Sequence, residues 1–425
     1  MLTLSVGKIG KLVSLLAVAV MILGGISACS QASNGTTTPT TTTQGAPIKI
    51  GASVPLTGDL SDQGKAVKQG YELWADMINK KGGLLGRQVQ MITYNDNSDE
   101  KQVTVNYQKL ITVDKVDLLL GPMGPQTTVA GLLVAARYNY AYIEGIGGTK
   151  LIYDTVAQDN LHNHFGVSLA VPKYMAGFVD YILSLPQNMR PKTVGYVGGD
   201  DPFAGQQVEF VKGQFASNGI QTVADSTYPA ETTDYTPYAQ KIVQAKPDIV
   251  VLGTLTQTDC GAFIKYFKQQ HFNPKSVIAT SGPDAGSAFT DIIGGPQYAE
   301  GVFVPNGNWG PDLKSFQNDL FINAYVAKYG GKPGDVSSAT AEAFSVAQVL
   351  EQAVTNIHSI DNTKLIAELH SGTYQTVQGP AKFADNGENT LSVPYLWQWQ
   401  KGQFITVYPA NGAQATPEFP KQAAW

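Results

Sequence analysis

From Ile48 the chain alternates: Ile48, Ile50, Ala52 and Val54 are apolar, with Lys49, Gly51 and Ser53 between them. That is strand period. Pro55 cannot donate to a ladder and Gly58 admits positive φ, so the strand ends there. From Gly64 the period changes. Val67, Tyr71, Trp74 and Ile78 recur at spacings of four, three and four, one apolar stripe of a helix that stops at Gly82-Gly83. The intervening loop, Leu56–Gln63, therefore lies at the carboxyl end of a first strand, facing a helix N-terminus. Free N–H groups and the helix dipole favour anions at such a place.

The rhythm continues. Strands are expected at Val89–Tyr94, Val116–Leu120 and Ala141–Glu144, separated by helices at Asp99–Val113 and Thr127–Tyr138. It restarts with strands at Thr193–Val197, Ile220–Val223, Asp248–Leu252 and Ser276–Thr280, and helices at Ala204–Asn218, Asp234–Ala245 and Asp259–Gln270. Two runs of strand–helix units imply two parallel sheets, hence two lobes with a cleft between them. Longer helical patterns follow at Leu313–Tyr329 and Ser338–Ile357, a shorter one at Thr363–His370, and strands near Ser392–Tyr408. The fold class is α/β, with two Rossmann-like lobes built on parallel central sheets.

At 425 residues the chain exceeds one ordinary domain. A net charge of −5 and the absence of a basic cluster give no reason to expect nucleic acid. Lys8 and Lys11 precede an apolar run, Leu12–Leu23, that is short for a membrane span and reads as a signal peptide. Ile26-Ser27-Ala28-Cys29 resembles the bacterial lipobox. Cleavage would leave Cys29 as a lipidated N-terminus, anchored because each buried CH₂ contributes about 0.8 kcal/mol. Ser30–Gly45 is Thr-rich and reads as a disordered tether. No later apolar run approaches the roughly 20 residues of a transmembrane helix. Cys260, in an apolar helical run, is then the only other cysteine, so no intramolecular disulfide forms in the mature protein and Cys260 is expected to be a packing residue.

Enzyme chemistry finds little support. The chain has no G-x-S-x-G, no H-E-x-x-H and no G-x-x-x-x-G-K-[ST], and Gly145–Lys150 misses the dinucleotide spacing. His162 and His164 lack a third ligand nearby and read as a surface or hinge pair, with no metal; no cofactor is expected.

The run Val54-Pro55-Leu56-Thr57-Gly58, then Gly64, Gly70 and Asn79-Lys80-Lys81-Gly82-Gly83-Leu84-Leu85-Gly86-Arg87, resembles the opening of the branched-chain amino-acid (Leu/Ile/Val-type) binding proteins. These are extracytoplasmic solute-binding proteins of ABC importers with the type I periplasmic-binding fold. The likeness continues, more weakly, to about Pro409. It implies crossovers near Ser168–Pro172, Pro305–Asn308 and Leu391–Pro394, a three-strand hinge on which the lobes close. The expected partition is 1–28 signal peptide, 29–46 lipidated Cys and tether, 47–168 plus 306–391 N-terminal lobe, and 169–305 plus 392–425 C-terminal lobe. Ser98 and Gly124 stand where several relatives carry a disulfide, so that staple is absent.

The resemblance also implies site residues. Gln63 stands where relatives place a side chain over the ligand. In Gly121–Thr128, Gln126 and Thr127 fall where a hydroxyl and backbone N–H groups hold the ligand carboxylate; N-capping by Thr127 or Thr128 is the plainer reading. Gly147, Gly148 and Thr149 match a small residue and a threonine that meet the ligand ammonium and carboxylate. Phe203 takes an aromatic position without the usual hydroxyl. Leu255 and Thr256 depart from a pattern that often has Tyr. Asp284 follows Gly-Pro where relatives place the acidic partner of the ammonium, and capping of an Ala285–Thr290 helix is the alternative. The implied function is a lipid-anchored, non-enzymatic receptor on the cell surface or in the periplasm. It would capture a small amino acid or related carboxylate and deliver it to ABC permease subunits. The alternatives are the same fold binding an amide, urea or aromatic acid, or a ligand-sensing domain for signalling.

Overall fold

The computed structural model describes residues 45–229, 231–305, 309–422 and 425. The signal peptide, Cys29, nearly all of the tether and most of the second crossover lie outside the described residues.

The first lobe is built on β1 (Ile48–Val54), α1 (Ser61–Lys80), β2 (Val89–Asn95), α2 (Glu100–Thr112), β3 (Leu118–Leu120), α3 (Pro125–Arg137), β4 (Tyr142–Glu144), α4 (Lys150–Gln158) and β5 (His164–Gly166). Its strands form one sheet in the order β2-β1-β3-β4-β5, with every pair parallel. The second lobe follows: α5 (Ala176–Ser184), β6 (Thr193–Gly199), α6 (Pro202–Ser217), β7 (Gln221–Tyr228), α7 (Thr236–Ala245), β8 (Ile249–Gly253), α8 (Gln257–Gln269), β9 (Ser276–Ala279), α9 (Ser287–Ile293) and β10 (Val302–Val304). The chain then supplies α10 (Asn318–Tyr329), α11 (Ser338–Ile357), α12 (Asn362–Ser371) and the hairpin β11 (Tyr374–Thr376)–β12 (Gly379–Ala381). It ends with β13 (Leu396–Gln400) and β14 (Gln403–Tyr408). The second sheet runs β14-β13-β10-β9-β8-β6-β7. It is parallel except where β13 and β14 add antiparallel on one side.

The alternation read from β1 is a division between two cores. Ile48, Ile50, Ala52 and Val54 are fully buried against the α1 stripe and α11, the cluster that also holds Trp74, Phe321 and Phe344. Gly51, between them, lies against Leu110 of α2. Both faces of the sheet are covered, as a parallel sheet requires. The predicted stripe of α1 is buried throughout: Val67, Tyr71, Trp74 and Ile78 are all under 9% exposed. Gly70 lets α1 approach α11 closely, since a Cβ there would sit 2.4 Å from the Thr340 carbonyl. Two tyrosines clamp the end of β3: Tyr71 OH donates to Gly121 O at 2.9 Å and Tyr107 OH to Leu120 O at 2.6 Å.

In the second lobe, Val194, Tyr196, Ile249, Val251, Ile278 and Phe303 face α5 and α6, while Val250, Leu252, Val277 and Ala279 face α7, α8 and α9. Cys260 is a buried free thiol in the latter cluster, the packing role expected for it.

The chain passes between the sheets after β5, after β10 and before β13. Near the first and third passages, Asn389 Nδ2 donates to Val167 O at 2.7 Å and Gln378 Nε2 to Ser168 Oγ at 3.0 Å. Lys173 pairs with Glu388 beside them.

Some expectations need correction. Of the expected surface or hinge pair, His162 is exposed, but His164 is the buried first residue of β5, just before the first passage, with its ring against the Glu144 carboxylate. Helix α3 begins at Pro125, two residues before Thr127, and Gly124 at φ +97° is its N-cap. Neither threonine therefore caps it. Thr127 Oγ1 instead donates back to the Met123 and Gly124 carbonyls. The helix expected over Ala285–Thr290 starts at Ser287: a 3₁₀ turn, Pro283–Ala285, precedes α9, which Gly286 caps without a side chain. Asp284 is thus not a helix cap.

Candidate functional site

The carboxyl ends of the two sheets face one another, and one hydrogen bond shows where they meet. Lys150, the first residue of α4, donates its backbone N–H to Gln206 Oε1 of α6 at 2.7 Å. A helix N-terminus has N–H groups without intrahelical partners. Here Thr149 gives no side-chain cap, and the second lobe supplies the acceptor instead. Beside this contact lies a cavity of about 590 Å³, lined by Lys150 and Pro172 on one side and Asp200, Asp201, Gln206 and Phe210 on the other.

The first lobe contributes two loops. Gly121–Gly124 leads into α3, and Gly145–Thr149 leads into α4. They are tied together, since Gly124 N donates to Ile146 O at 3.0 Å, and the second is also tied to the interlobe passage, since Val171 N donates to Gly148 O at 2.8 Å. Gly147, Gly148 and Thr149 are all buried. Thr149 Oγ1 and Thr128 Oγ1 are buried hydroxyls without a hydrogen-bond partner among the described residues. Buried polar groups are normally satisfied, so two unpartnered hydroxyls at the starts of α3 and α4 stand out. The sequence points to Thr128 only as a possible N-cap; a second threonine in the first turn of a glycine-capped helix is the signal for an inward hydroxyl.

Gln126 does not join these two threonines. It is exposed and lines a depression between α2 and α3 with Glu100, Lys101, Thr104 and Arg137. Because α3 starts at Pro125, this position turns to the flank, and the buried positions next to it, Thr127 and Thr128, point inward. Thr127 spends its hydroxyl on its own turn. Gln63 is exposed in the first turn of α1. Ser98 and Gly124 both lie at Leu60: Ser98 Oγ accepts from Leu60 N at 3.1 Å, and a Gly124 Cβ would meet Leu60 Cδ1 at 3.1 Å.

The second lobe presents three loops. Asp201 caps α6 by accepting from Phe203 N and Ala204 N, which sets Phe203 half-buried and edge-on to Tyr174, centroids 6.0 Å apart. Thr256 caps α8 in a reciprocal capping box with Asp259. That box leaves Leu255 40% exposed, an apolar side chain presented at a strand's carboxyl end. Asp284 Oδ1 accepts from Gly282 N at 2.8 Å. The surface of Asp284 is exposed, yet the protein around it is dense enough to desolvate its carboxyl. Desolvation raises the carboxyl above the ordinary aspartate range, against hydrogen bonds from Gly282, its own N–H and Ser281.

Among the described residues no group of three or more His, Cys, Asp or Glu side chains could hold a metal ion, and no helix is long and apolar enough to cross a membrane.

These features agree with known proteins. The family model of the periplasmic binding proteins matches residues 47–403, and the chain belongs to that family. The Leu/Ile/Val-binding protein homolog 8 of Brucella melitensis is 25% identical over 395 residues, 88% of this chain and 94% of that protein. A structure from Silicibacter pomeroyi described as a branched-chain amino acid ABC transporter superposes with a TM-score of 0.78 at 20% identity, covering 88% of this chain and 99% of that one. The branched-chain amino acid transporter substrate binding protein of Streptococcus pneumoniae, in complex with isoleucine, gives 0.66 at 19% identity, covering 85% and 100%. A solute-binding protein from R. palustris, in complex with benzoate, gives 0.67 at 20% identity, covering 89% and 99%. The expected type I periplasmic-binding architecture, two lobes on parallel sheets, is the one observed.

Proposed function

We propose that this protein is the solute receptor of an ABC importer. It captures a small carboxylate, an amino acid of branched-chain type or a relative, by closing two lobes over it, and it delivers the closed form to the membrane permease. The N-terminus supports an extracytoplasmic place, with Cys29 as the lipid attachment. The observation that carries the reading is the Lys150–Gln206 hydrogen bond, because it joins the glycine loop after β4 to the helix that opens the second lobe. Closure makes affinity depend on groups from both sides, since binding must offset any closure the free protein does not already favour. Thr149, Thr128 and the starts of α3 and α4 supply donors for a carboxylate; Gly147 and Gly148 leave room for it; Phe203 and Leu255 supply apolar wall.

A second ligand class has a specific observation in its favour. Asp284, the acid expected to meet an ammonium, is engaged with its own loop through Gly282, and Leu255 and Phe203 give apolar surface in place of a tyrosine hydroxyl. An aromatic acid, which has a carboxylate but no ammonium, suits that arrangement, and the R. palustris structure holds benzoate. Titration calorimetry with isoleucine and with benzoate separates the two readings. Binding of isoleucine alone supports the amino-acid reading and binding of benzoate alone the aromatic one. Failure of both, and of an amino-acid and aromatic-acid library in a thermal-shift screen, overturns the carboxylate class.

A further inference from the structure

Glu144 ends β4 beneath both donor loops of the first lobe. It is 1% exposed, and three glycines enclose it. A Cβ on Gly121 would sit 2.5 Å from Glu144 Cβ, one on Gly166 2.9 Å from Oε1, and one on Gly147 3.1 Å from Oε2. Those glycines follow β3, end β5 and stand in the loop after β4, so the strand ends that define this half of the cleft leave room for one carboxylate. Its Oε1 meets His164 Nε2 at 3.2 Å, and His164 Nδ1 reaches the Asn386 carbonyl at 3.3 Å. The Tyr153 ring stands edge-on to His164. Glu144 Oε2 has no hydrogen-bond partner among the described residues. A Gly147 Cβ would sit 3.1 Å from that oxygen and 2.6 Å from Thr128 Oγ1.

A packing role alone does not account for this residue. A buried carboxylate with one oxygen unsatisfied is a net loss against an apolar side chain of equal volume. We propose that Glu144 is a positioning residue for the binding cleft: held by His164 and walled by glycines, it fixes the Gly145–Thr149 loop against the Gly121–Thr128 loop. This sets the spacing of the Thr128 and Thr149 hydroxyls and of the first-turn N–H groups of α3 and α4. The inference rests on reading those loops as the carboxylate site, but its test needs no ligand.

The test is amide hydrogen exchange on the full chain, comparing the wild type with Glu144→Ala, Glu144→Gln and Gly147→Ala. Gly147 is not in the left-handed region, so its alanine variant perturbs the packing around the carboxylate without backbone strain and carries the test if Glu144→Ala does not fold. Exchange in 121–128 and 145–149 is expected to rise about tenfold or more in Glu144→Ala and Gly147→Ala. Glu144→Gln, which keeps the volume and an acceptor for His164, is expected to stay within about twofold of wild type. Exchange in β1, α11 and β8 is expected to stay unchanged. Unchanged loops in both small-residue variants, or acceleration spread equally over β1 and α11, would overturn the proposal. Failure of every carboxylate to bind would overturn the proposed ligand class and leave the exchange pattern standing, so the two failures are distinguishable.

Discussion

Gln206, on the second lobe, caps the helix that Lys150 begins on the first, with 2.7 Å between Oε1 and the amide nitrogen. The contact links a local deficiency to the proposed closure of the lobes. Because Thr149 does not cap α4 itself, separating the lobes strips that N–H of its partner and returns it to water. The closed arrangement is favoured by one hydrogen bond, on the order of 0.5–1.5 kcal/mol net. Gln206→Ala is therefore expected to weaken ligand binding roughly 2- to 10-fold, through faster dissociation measured by stopped flow, with little change in melting temperature.

Asp284 decides between the ligand classes. If the ligand carries an ammonium, Asp284→Ala removes a charge-assisted hydrogen bond, and calorimetric affinity for isoleucine falls by about tenfold or more. If the ligand is an aromatic acid, the same substitution removes a like charge and benzoate binding holds or improves. Equal loss for both would show that Asp284 acts only by holding the Gly282 turn.

Asp96 sets a pH dependence of stability. Its carboxylate is buried under the β1–β2 edge, accepting from Ser53 Oγ at 3.1 Å and Ser98 N at 3.0 Å. Desolvation nonetheless prevails and raises the carboxyl from 3.8 to about 6. The folded state thus holds this proton more tightly than the unfolded chain. The group's favourable contribution is complete below about pH 4 and is lost as pH rises through about 6. Urea denaturation of the wild type is expected to show that loss, on the order of 1–2 kcal/mol after solvent screening. Asp96→Asn is expected to remove it. A variant with the same pH profile as wild type would contradict the assignment.

Gly70 sets the distance between α1 and α11. Gly70→Ala would place a methyl carbon 2.4 Å from Thr340 O and 2.8 Å from Ala343 Cβ. The helices must then separate, at about 1–3 kcal/mol, read as a lower denaturation midpoint with the m-value unchanged. An unaffected midpoint would mean that α11 adjusts freely.

Much of this architecture is legible where periodicity is long. The α1 stripe and the strands β1 and β8 are written in apolar positions that packing then uses. Short elements are not. β5 is three residues, His164-Phe165-Gly166, and it is defined by pairing with Tyr142–Glu144 twenty-two positions earlier, which no local pattern reports. α4 follows a glycine-rich loop, and its one start signal, Thr149, makes no side-chain cap; the acceptor comes from the other lobe. The hairpin β11–β12 has only three residues per strand. In the site, the loops are legible as loops at strand ends, but side-chain direction is not. A shift of two residues in the start of α3 sends Gln126 to the flank and brings Thr128 inward.

The most direct test is to purify the protein without refolding and weigh it by native mass spectrometry, then identify by fragmentation whatever denaturation releases. One small carboxylate per chain, which rebinds the stripped protein and slows hydrogen exchange at Gly145–Thr149 and in the first turn of α6 together, is the expected result. A protein that carries nothing, binds no carboxylate and shows no coupled protection of the two lobes would contradict capture by closure.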